Sequence, residues 1–291
     1  MSPEAQECLS QSVAANQGAD GFFCGRAGQE DLYYTFFGLL LAAVTNTKIR
    51  RKDCAAKLKT VDFATLDLVH ACAWWRAMKL LQLRAMPFSL SVLCEIFVNF
   101  AVKIFTTKYP KAAQSYDIAS LTTLPPHAYP QQDADSPYSC FLLGTLHTDF
   151  GRAMPKSDLD AYRLPNGLYA NLKHHANYGI NATAAALFLI PKESCDETAN
   201  VLLALQEPDG SYKAAASAPE GDLMSTATAA FALQRCGQGS NATRNPTLRI
   251  SPRPFLRECF RDNGLFAATP LDPDGDLEYT AYGLLLMGLL T

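Results

Sequence analysis

The feature that most constrains this chain is a short pattern that recurs along it. A glycine preceded by Asp or Asn is followed two positions later by an aromatic residue, and then, 14 or 16 residues after the glycine, by a threonine. Four copies are clear, and they run from Gly21 to Thr35, Gly167 to Thr183, Gly210 to Thr226 and Gly264 to Thr280. Such repetition at a nearly constant spacing predicts one supersecondary unit that is used several times.

Each unit is predicted to contain two helices. A more polar, amphipathic stretch precedes each glycine, and an apolar stretch rich in Ala, Gly and Thr follows it. The polar stretches include residues 3–16, 195–206 and 252–260, and the apolar ones 36–44, 182–190, 227–233 and 281–290. A helix that is apolar all round is a buried one. The alternation therefore predicts an inner ring of helices wrapped by an outer ring, with no β-sheet core.

Two degenerate copies complete the count. Asp135-Ser-Pro-Tyr-Ser139 has Ser in place of the threonine and lacks the glycine turn. The preceding gap is about twice as long as the later ones, so we expect a further copy within it, with its helix beginning near Pro87-Phe88-Ser89-Leu90. The sequence then predicts about six helical hairpins in a single all-α domain over residues 1–291.

The repeated polar residues have a structural explanation. Asp31, Asp222 and Asp276 stand where a carboxylate accepts backbone N–H groups at the start of a helix. The glycines supply turn geometry that a Cβ atom would hinder. Most of these repeated Asp and Gly residues are thus expected to cap helices and to form turns.

Composition narrows the class of protein. The net charge is -3, from 25 basic and 28 acidic residues, and no Lys/Arg-rich run is present, so we expect no nucleic-acid partner. Nine scattered cysteines without CxxC spacing predict reduced thiols. The N-terminal sequence does not resemble a signal peptide, and no apolar run is long enough to span a membrane. These observations predict a cytoplasmic protein.

The units resemble the prenyltransferase and squalene oxidase repeat. The segment from Gln206 to Tyr212, Gln-Glu-Pro-Asp-Gly-Ser-Tyr, is similar to the glutamine-to-tryptophan motif of triterpene cyclases, with Tyr212 in place of Trp. The resemblance is strong over residues 17–45 and 163–291 and weak over 46–135. It implies an α/α toroid (an α6-α6 barrel) around a central cavity, as in the β-subunits of protein prenyltransferases and in class II terpenoid cyclases.

The zinc site of protein prenyltransferases is not reproduced. The resemblance implies an Asp, a Cys two residues later and a His at the start of the last inner helix. Asp222 matches the first position, but Met224 stands at the second and Tyr279 at the third. Met and Tyr do not form the usual zinc site, so we expect no metal and no other cofactor.

The resemblance to cyclases gives weak catalytic candidates. Class II cyclases protonate an alkene with an Asp-x-Asp-Asp motif before a helix, and the nearest counterpart is Asp276-Leu-Glu278-Tyr279. Glu278 would then stand in the place of the acid. Asp133-Ala-Asp135-Ser136 is a second, looser match.

Candidate substrate-binding residues are His175, Tyr178, Asp222 and Tyr34. The run His175-Ala-Asn-Tyr178 is similar to a prenyltransferase segment whose His holds the diphosphate, but an alignment on Thr183 instead places the His174-His175 pair in a loop. Lys173 and Arg163 are the basic residues nearest to that pair. The aromatic residues expected either to line a cavity or to form plain core are Tyr33, Tyr34, Phe36, Phe37, Trp74 and Trp75.

Two classes of function follow. The first is a prenyltransferase- or terpenoid cyclase-like protein that binds an isoprenoid or other apolar molecule, with a partner subunit or a second copy as a possible partner. The second is a non-catalytic toroid that serves as a scaffold or interaction module. An apolar, aromatic-lined central funnel would favour the first, and a cavity filled by side chains the second.

Overall fold

The structure, a computed structural model, describes residues 1–82, 135–149, 157–237 and 248–290. These residues are mostly helical, as predicted. The helices are α1 (Pro3–Ala15), α2 (Leu32–Thr45), α3 (Arg51–Thr60), α4 (Leu68–Gln82), α5 (Pro137–Asp149), α6 (Ile180–Leu189), α7 (Asp196–Ala204), α8 (Leu223–Gly237), α9 (Arg253–Glu258) and α10 (Leu277–Leu289). Single 3₁₀ turns lie at Phe63–Thr65, Asp160–Tyr162 and Lys192–Ser194. No helix within these ranges combines the length and the apolar character that crossing a bilayer requires.

The strands of the described residues are two residues long and form three separate antiparallel hairpins. They pair β1 (Phe23–Cys24) with β2 (Glu30–Asp31), β3 (Tyr212–Lys213) with β4 (Gly221–Asp222), and β5 (Phe266–Ala267) with β6 (Gly275–Asp276). Each hairpin ends at the aspartate that precedes an apolar helix. The hairpins therefore connect helices and do not form a core of their own.

Six helices follow one another in a closed cycle of contacts. α2 packs against α4, α4 against α5, α5 against α6, α6 against α8, α8 against α10, and α10 returns to α2. We call these six the inner helices. Among the remaining helices, α1 packs against α2, α3 against α4, and α7 against both α6 and α8. These contacts place α1, α3 and α7 beside the cycle of inner helices.

The threonine of each repeat fastens the glycine turn to its inner helix. In all four clear copies the threonine is fully buried, and its hydroxyl accepts a hydrogen bond from the backbone N–H of the aromatic residue. These pairs are Phe23 with Thr35 at 2.9 Å, Tyr169 with Thr183 at 3.0 Å, Tyr212 with Thr226 at 2.9 Å and Phe266 with Thr280 at 2.9 Å. The same hydroxyl donates to a backbone carbonyl one helical turn earlier. A buried hydroxyl with both partners explains why threonine recurs at this position.

The glycine of each repeat faces the next outer helix. Gly264 has a φ of +82°, and a Cβ on it would lie 2.5 Å from the backbone nitrogen of Leu9 in α1. Ser12 of α1 also donates a hydrogen bond of 2.6 Å to the carbonyl of Asn263. Gly21 packs in the same way on Cys54 of α3. The last glycine turn is therefore seated on the first outer helix, which joins the two ends of the chain.

The predicted helix caps are confirmed. Asp31, Asp222 and Asp276 accept hydrogen bonds of 2.9, 2.9 and 2.8 Å from the backbone N–H three residues later. Gly179 occupies the same place before α6 and has no capping side chain. Three of the repeated aspartates therefore fix where the inner helices begin.

One inner helix, α4, is not indicated by the repeat pattern. The residues expected to begin the helix of a further copy, around Pro87, lie outside the described ranges, and the place between α2 and α5 is filled by α4, which follows Asp67. Asp67 accepts a 2.8 Å hydrogen bond from the backbone N–H of His70, as the other capping aspartates do. Ala71 stands where the other copies have threonine, so the Gly-to-Thr pattern does not extend to this helix. The degenerate copy at Asp135 does begin a helix, α5.

Candidate functional site

A cavity of about 630 Å³ lies between the inner helices, and all six contribute to its walls. Its apolar walls carry five phenylalanines: Phe36, Phe37, Phe141, Phe188 and Phe231. Three tyrosines join them: Tyr33, Tyr138 and Tyr282. Among the described residues, the space between the inner helices is therefore lined largely by aromatic side chains.

The rings touch one another around the cavity. Phe188 lies 5.5 Å from Phe141 and 5.0 Å from Phe231, measured between ring centroids. On the other side Phe37 lies 6.2 Å from Tyr282. Aromatic pairs at these separations are stabilising beyond their buried area. The walls are therefore held in shape by ring contacts.

Small residues leave the space open. Ala184 and Ala185 of α6 face the cavity, as do Cys72 and Ala73 of α4. An alanine side chain cannot reach the centre of a group of six helices. The alanine-rich inner stretches therefore create the volume, while the phenylalanines give it an aromatic surface.

The most unusual polar contact beside the cavity joins α2 and α10. The hydroxyl of Tyr33 donates a hydrogen bond of 2.5 Å to Oε1 of Glu278, and the glutamate is only 8% exposed. Burial, reinforced by the charge of Asp276, raises the pKa of Glu278 to about 7 against the opposing effects of Tyr33 and Arg26. Burial also raises the pKa of Tyr33. The carboxyl group therefore exchanges a proton near neutral pH while the phenol stays protonated.

An arginine of α4 also lines the cavity. Arg76 of α4 is 8% exposed, lines the cavity and donates a 2.7 Å hydrogen bond to Thr145 of α5. Its guanidinium carbon is 5.9 Å from the centroid of the Phe36 ring. Burial and the neighbouring tyrosine and glutamate raise the pKa of Tyr282, and the charge of Arg76 opposes that rise. Arg76 is thus close to the tyrosine side of the cavity.

The opposite wall carries a neutral polar group. Thr228 donates a 2.7 Å hydrogen bond to the amide oxygen of Asn181, and the amide nitrogen of Asn181 lies 3.4 Å from the sulfur of Met224. All three residues line the cavity. Met224 therefore occupies the place where the resemblance implies a zinc-binding cysteine, and its sulfur is directed to an amide. Across the described residues, no group of three or more His, Cys, Asp or Glu side chains is arranged to hold a metal ion.

Asp276 and Tyr279, two of the three catalytic candidates, are engaged by Arg26. The guanidinium Nε lies 2.5 Å from a carboxylate oxygen of Asp276, and Nη2 lies 2.8 Å from Asp272. The guanidinium also covers the ring of Tyr279, 5.3 Å from its centroid. Partial burial lowers the pKa of Arg26, but the hydrogen bonds and charges of the two carboxylates outweigh burial and raise this pKa. The carboxylate of Asp276 is thus engaged by the helix cap and by Arg26. Of the two candidate carboxyl groups, Glu278 is the one without an ion pair to Arg26.

The four substrate-binding candidates do not come together at the cavity. His175 is exposed in the loop before α6, where its Nδ1 lies 3.4 Å from the backbone nitrogen of Asn177. The helix begins after Gly179, so the alignment on Thr183 is the one that the structure follows. Tyr178, Asp222 and Tyr34 are partly buried but do not line the cavity.

The predicted aromatic residues divide in the same way. Tyr33, Phe36 and Phe37 line the cavity, whereas Trp74 and Trp75 belong to the core. Trp74 donates a 2.9 Å hydrogen bond to the carbonyl of Leu58 in α3.

A positional signal in the repeat marks the residues that face the cavity, including Val69, Tyr138 and Asn181, which the sequence patterns did not single out. The second residue of each inner helix faces the cavity or bonds to a residue that does. These residues are Tyr33, Val69, Tyr138, Asn181, Met224 and Glu278. The capping residue sets where each helix starts. The second residue of the helix then points inward.

The comparisons with known proteins identify no family. No family model matches the chain, and no curated protein matches it.

Proposed function

We propose that the chain is an α/α toroid of the prenyltransferase and squalene oxidase repeat type, and that it binds an isoprenoid or other apolar molecule in the cavity between its inner helices. The closed cycle of six helices supports the toroid. The seating of the Gly264 turn on α1 supports it independently, because it links the last unit to the first.

The observation that carries the binding proposal is the open, aromatic-lined space itself. Its volume of about 630 Å³ falls within the range of roughly 300–1,000 Å³ that ligand pockets occupy. Each methylene group that leaves water for such walls contributes about 0.8 kcal/mol to binding. A scaffold needs no such space, because protein interiors are close-packed with few voids larger than a water molecule.

The proposed binding does not depend on zinc. Met224 and Tyr279 replace two of the three ligands that the resemblance implies, and neither side chain suits the usual site. The chemical group that remains is Glu278, which is buried beside the cavity and titrates near neutral pH. In a catalytic version of this proposal, Glu278 is the proton donor to an apolar, unsaturated ligand.

The test is a titration with the neutral fluorophore N-phenyl-1-naphthylamine, followed by displacement with farnesol. We expect saturable fluorescence enhancement and competitive displacement. Ala185→Phe places a ring in the cavity and is expected to weaken binding at least tenfold. Ala176→Phe, a change of the same size in the exposed loop before α6, is the matched control and should leave the dissociation constant within twofold.

Circular dichroism establishes that both variants fold. If the native chain does not bind the fluorophore, or if Ala185→Phe and Ala176→Phe bind it equally well, the cavity is not a ligand site. The scaffold function would then be the better account.

A further inference from the structure

The charges around the cavity restrict the kind of molecule that it accepts. Among the described residues, Arg76 is the one lysine or arginine that lines the cavity, and Thr145 already accepts one of its N–H groups. A phosphate or diphosphate group carries several negative charges, and proteins bind such groups with clustered Arg and Lys donors or with helix N-termini. The described part of the cavity wall offers one such donor rather than a cluster.

The helix N-termini at this end of the cavity are occupied by acidic side chains of the protein. Asp31, Asp222 and Asp276 cap α2, α8 and α10, and Asp67 caps α4. These carboxylates already accept the N–H groups that an anion would need. Four of the six helix starts around the cavity are thus satisfied from within the chain.

Basic side chains near these helix starts already have contacts within the chain. Arg26 bonds to Asp272 and Asp276, and the imidazole of His70 lies 2.8 Å from Asp67. Lys173, in the loop before α6, has its amino group over the ring of Tyr162, 5.9 Å from the centroid. An anionic ligand would have to compete with carboxylates for the first two.

Besides Arg76, the described polar groups that line the cavity are hydroxyls, the amides of Asn171 and Asn181, and the carboxyl group of Asp135. Tyr33, Tyr138 and Tyr282 line the same side, and Tyr33 is bonded to Glu278. Since the Tyr33 proton is donated to the carboxylate, the lone pairs of its oxygen can accept a hydrogen bond from a ligand. A ligand alcohol satisfies this arrangement, whereas a phosphate would bring negative charge close to the buried Glu278 carboxylate.

We propose that the ligand of this cavity is an uncharged amphiphile, an apolar chain or ring system with one hydroxyl group, and that its hydroxyl group contacts Tyr33 beside Glu278. This inference rests on the proposed function and specifies its ligand. It separates the chain from proteins whose isoprenoid ligands are bound through a diphosphate.

The test compares three ligands with the same apolar chain: farnesol, farnesyl phosphate and the hydrocarbon farnesene. Each displaces N-phenyl-1-naphthylamine at pH 8, below its micelle concentration. We expect the alcohol to bind at least tenfold more tightly than the phosphate. Tyr33→Phe should weaken the alcohol about fivefold, the equivalent of roughly one hydrogen bond of 1 kcal/mol, and leave the hydrocarbon within twofold.

Glu278→Gln separates charge from shape. It keeps an oxygen that accepts from Tyr33 but removes the negative charge, so the ratio of phosphate affinity to alcohol affinity should rise at least fivefold in the variant. A wild-type chain that binds the phosphate as tightly as the alcohol would overturn this inference and leave the proposed function standing. Failure of the fluorophore and all three ligands to bind would overturn both.

Discussion

Replacing Glu278 by Gln should make the protein more stable at alkaline pH and leave its stability unchanged near pH 5. The side chain is 8% exposed, and its pKa rises from an ordinary value of 4.5 to about 7, chiefly because burial disfavours the charged form. The charged and polar groups that act on it are Asp276 and Tyr33, with Arg26 beyond them.

The sign follows from proton binding. The folded chain holds the Glu278 proton more tightly than the unfolded chain does, so the stability associated with the protonated form is fully present below pH 4.5 and is lost as pH rises through about 7. At about 1.36 kcal/mol for each pKa unit, the loss has an upper bound of about 3 kcal/mol. Gln is uncharged at every pH, so the variant does not suffer this loss.

The assay is urea denaturation, followed by far-ultraviolet circular dichroism, of both proteins at several pH values from 5 to 8.5. The difference in unfolding free energy between variant and wild type should grow by about 2–3 kcal/mol over this range. Glu193→Gln, at an exposed glutamate, is the control and should show no such growth. A difference for Glu278→Gln that stays constant within about 0.5 kcal/mol across the range would refute the reasoning.

Three further changes test the repeat and its closure. Thr280→Val removes a fully buried hydroxyl that bonds at both ends, and it should lower the unfolding free energy by about 1–3 kcal/mol in a urea titration. Gly264→Ala should lower the unfolding free energy by more than about 2 kcal/mol in the same assay, because φ is +82° and an added Cβ meets the α1 backbone. Its control is Gly28→Ala, where φ is +75° and an added Cβ has no atom within 4 Å. This variant should lose about 1 kcal/mol. Arg26→Gln leaves the 7%-exposed Asp276 without its cation and should lower thermal stability by about 1 kcal/mol, discounted for the 40% exposure of Arg26, and by less in high salt.

For each of these three predictions, one result would contradict the proposed contact. Equal stability of Thr280→Val and wild type would mean that the buried hydroxyl does not fasten the turn. Equal costs at Gly264 and Gly28 would mean that the last turn is not seated on α1. An effect of Arg26→Gln that does not depend on salt would show that its contribution is packing rather than charge.

Much of the secondary structure could be predicted because it depends on neighbours in the chain. An aspartate accepts the N–H three residues later, and a glycine turn is adopted where a Cβ would be strained, so Asp31, Asp222, Asp276 and the four repeat glycines mark their places by local rules. Where the local signal weakens, the pattern predicts less. At α4, Ala71 stands in place of the threonine, so the pattern does not indicate this helix, and the start expected near Pro87 lies outside the described residues.

The candidate site was predictable only in part. Tyr33, Phe36, Phe37 and Glu278 were recognised as chemically notable, but His175, Tyr178, Asp222 and Tyr34 proved to lie away from the cavity walls. Their spacing along the chain did not reveal which side of each helix turns inward. That orientation depends on where each helix starts, and the start before α6 was settled only by Gly179 and Thr183.

The sequence by itself determined the repeating unit, its caps and turns, and the alternation of apolar and amphipathic helices, because each of these arises from contacts within a few residues. The tertiary structure alone decided that Tyr33 would bond to Glu278 and that Arg26 would pair with Asp276, residues 245 and 250 positions apart. No local rule relates such distant residues. They meet because the last unit packs against the first, and Tyr33, which takes part in that contact, also lines the cavity.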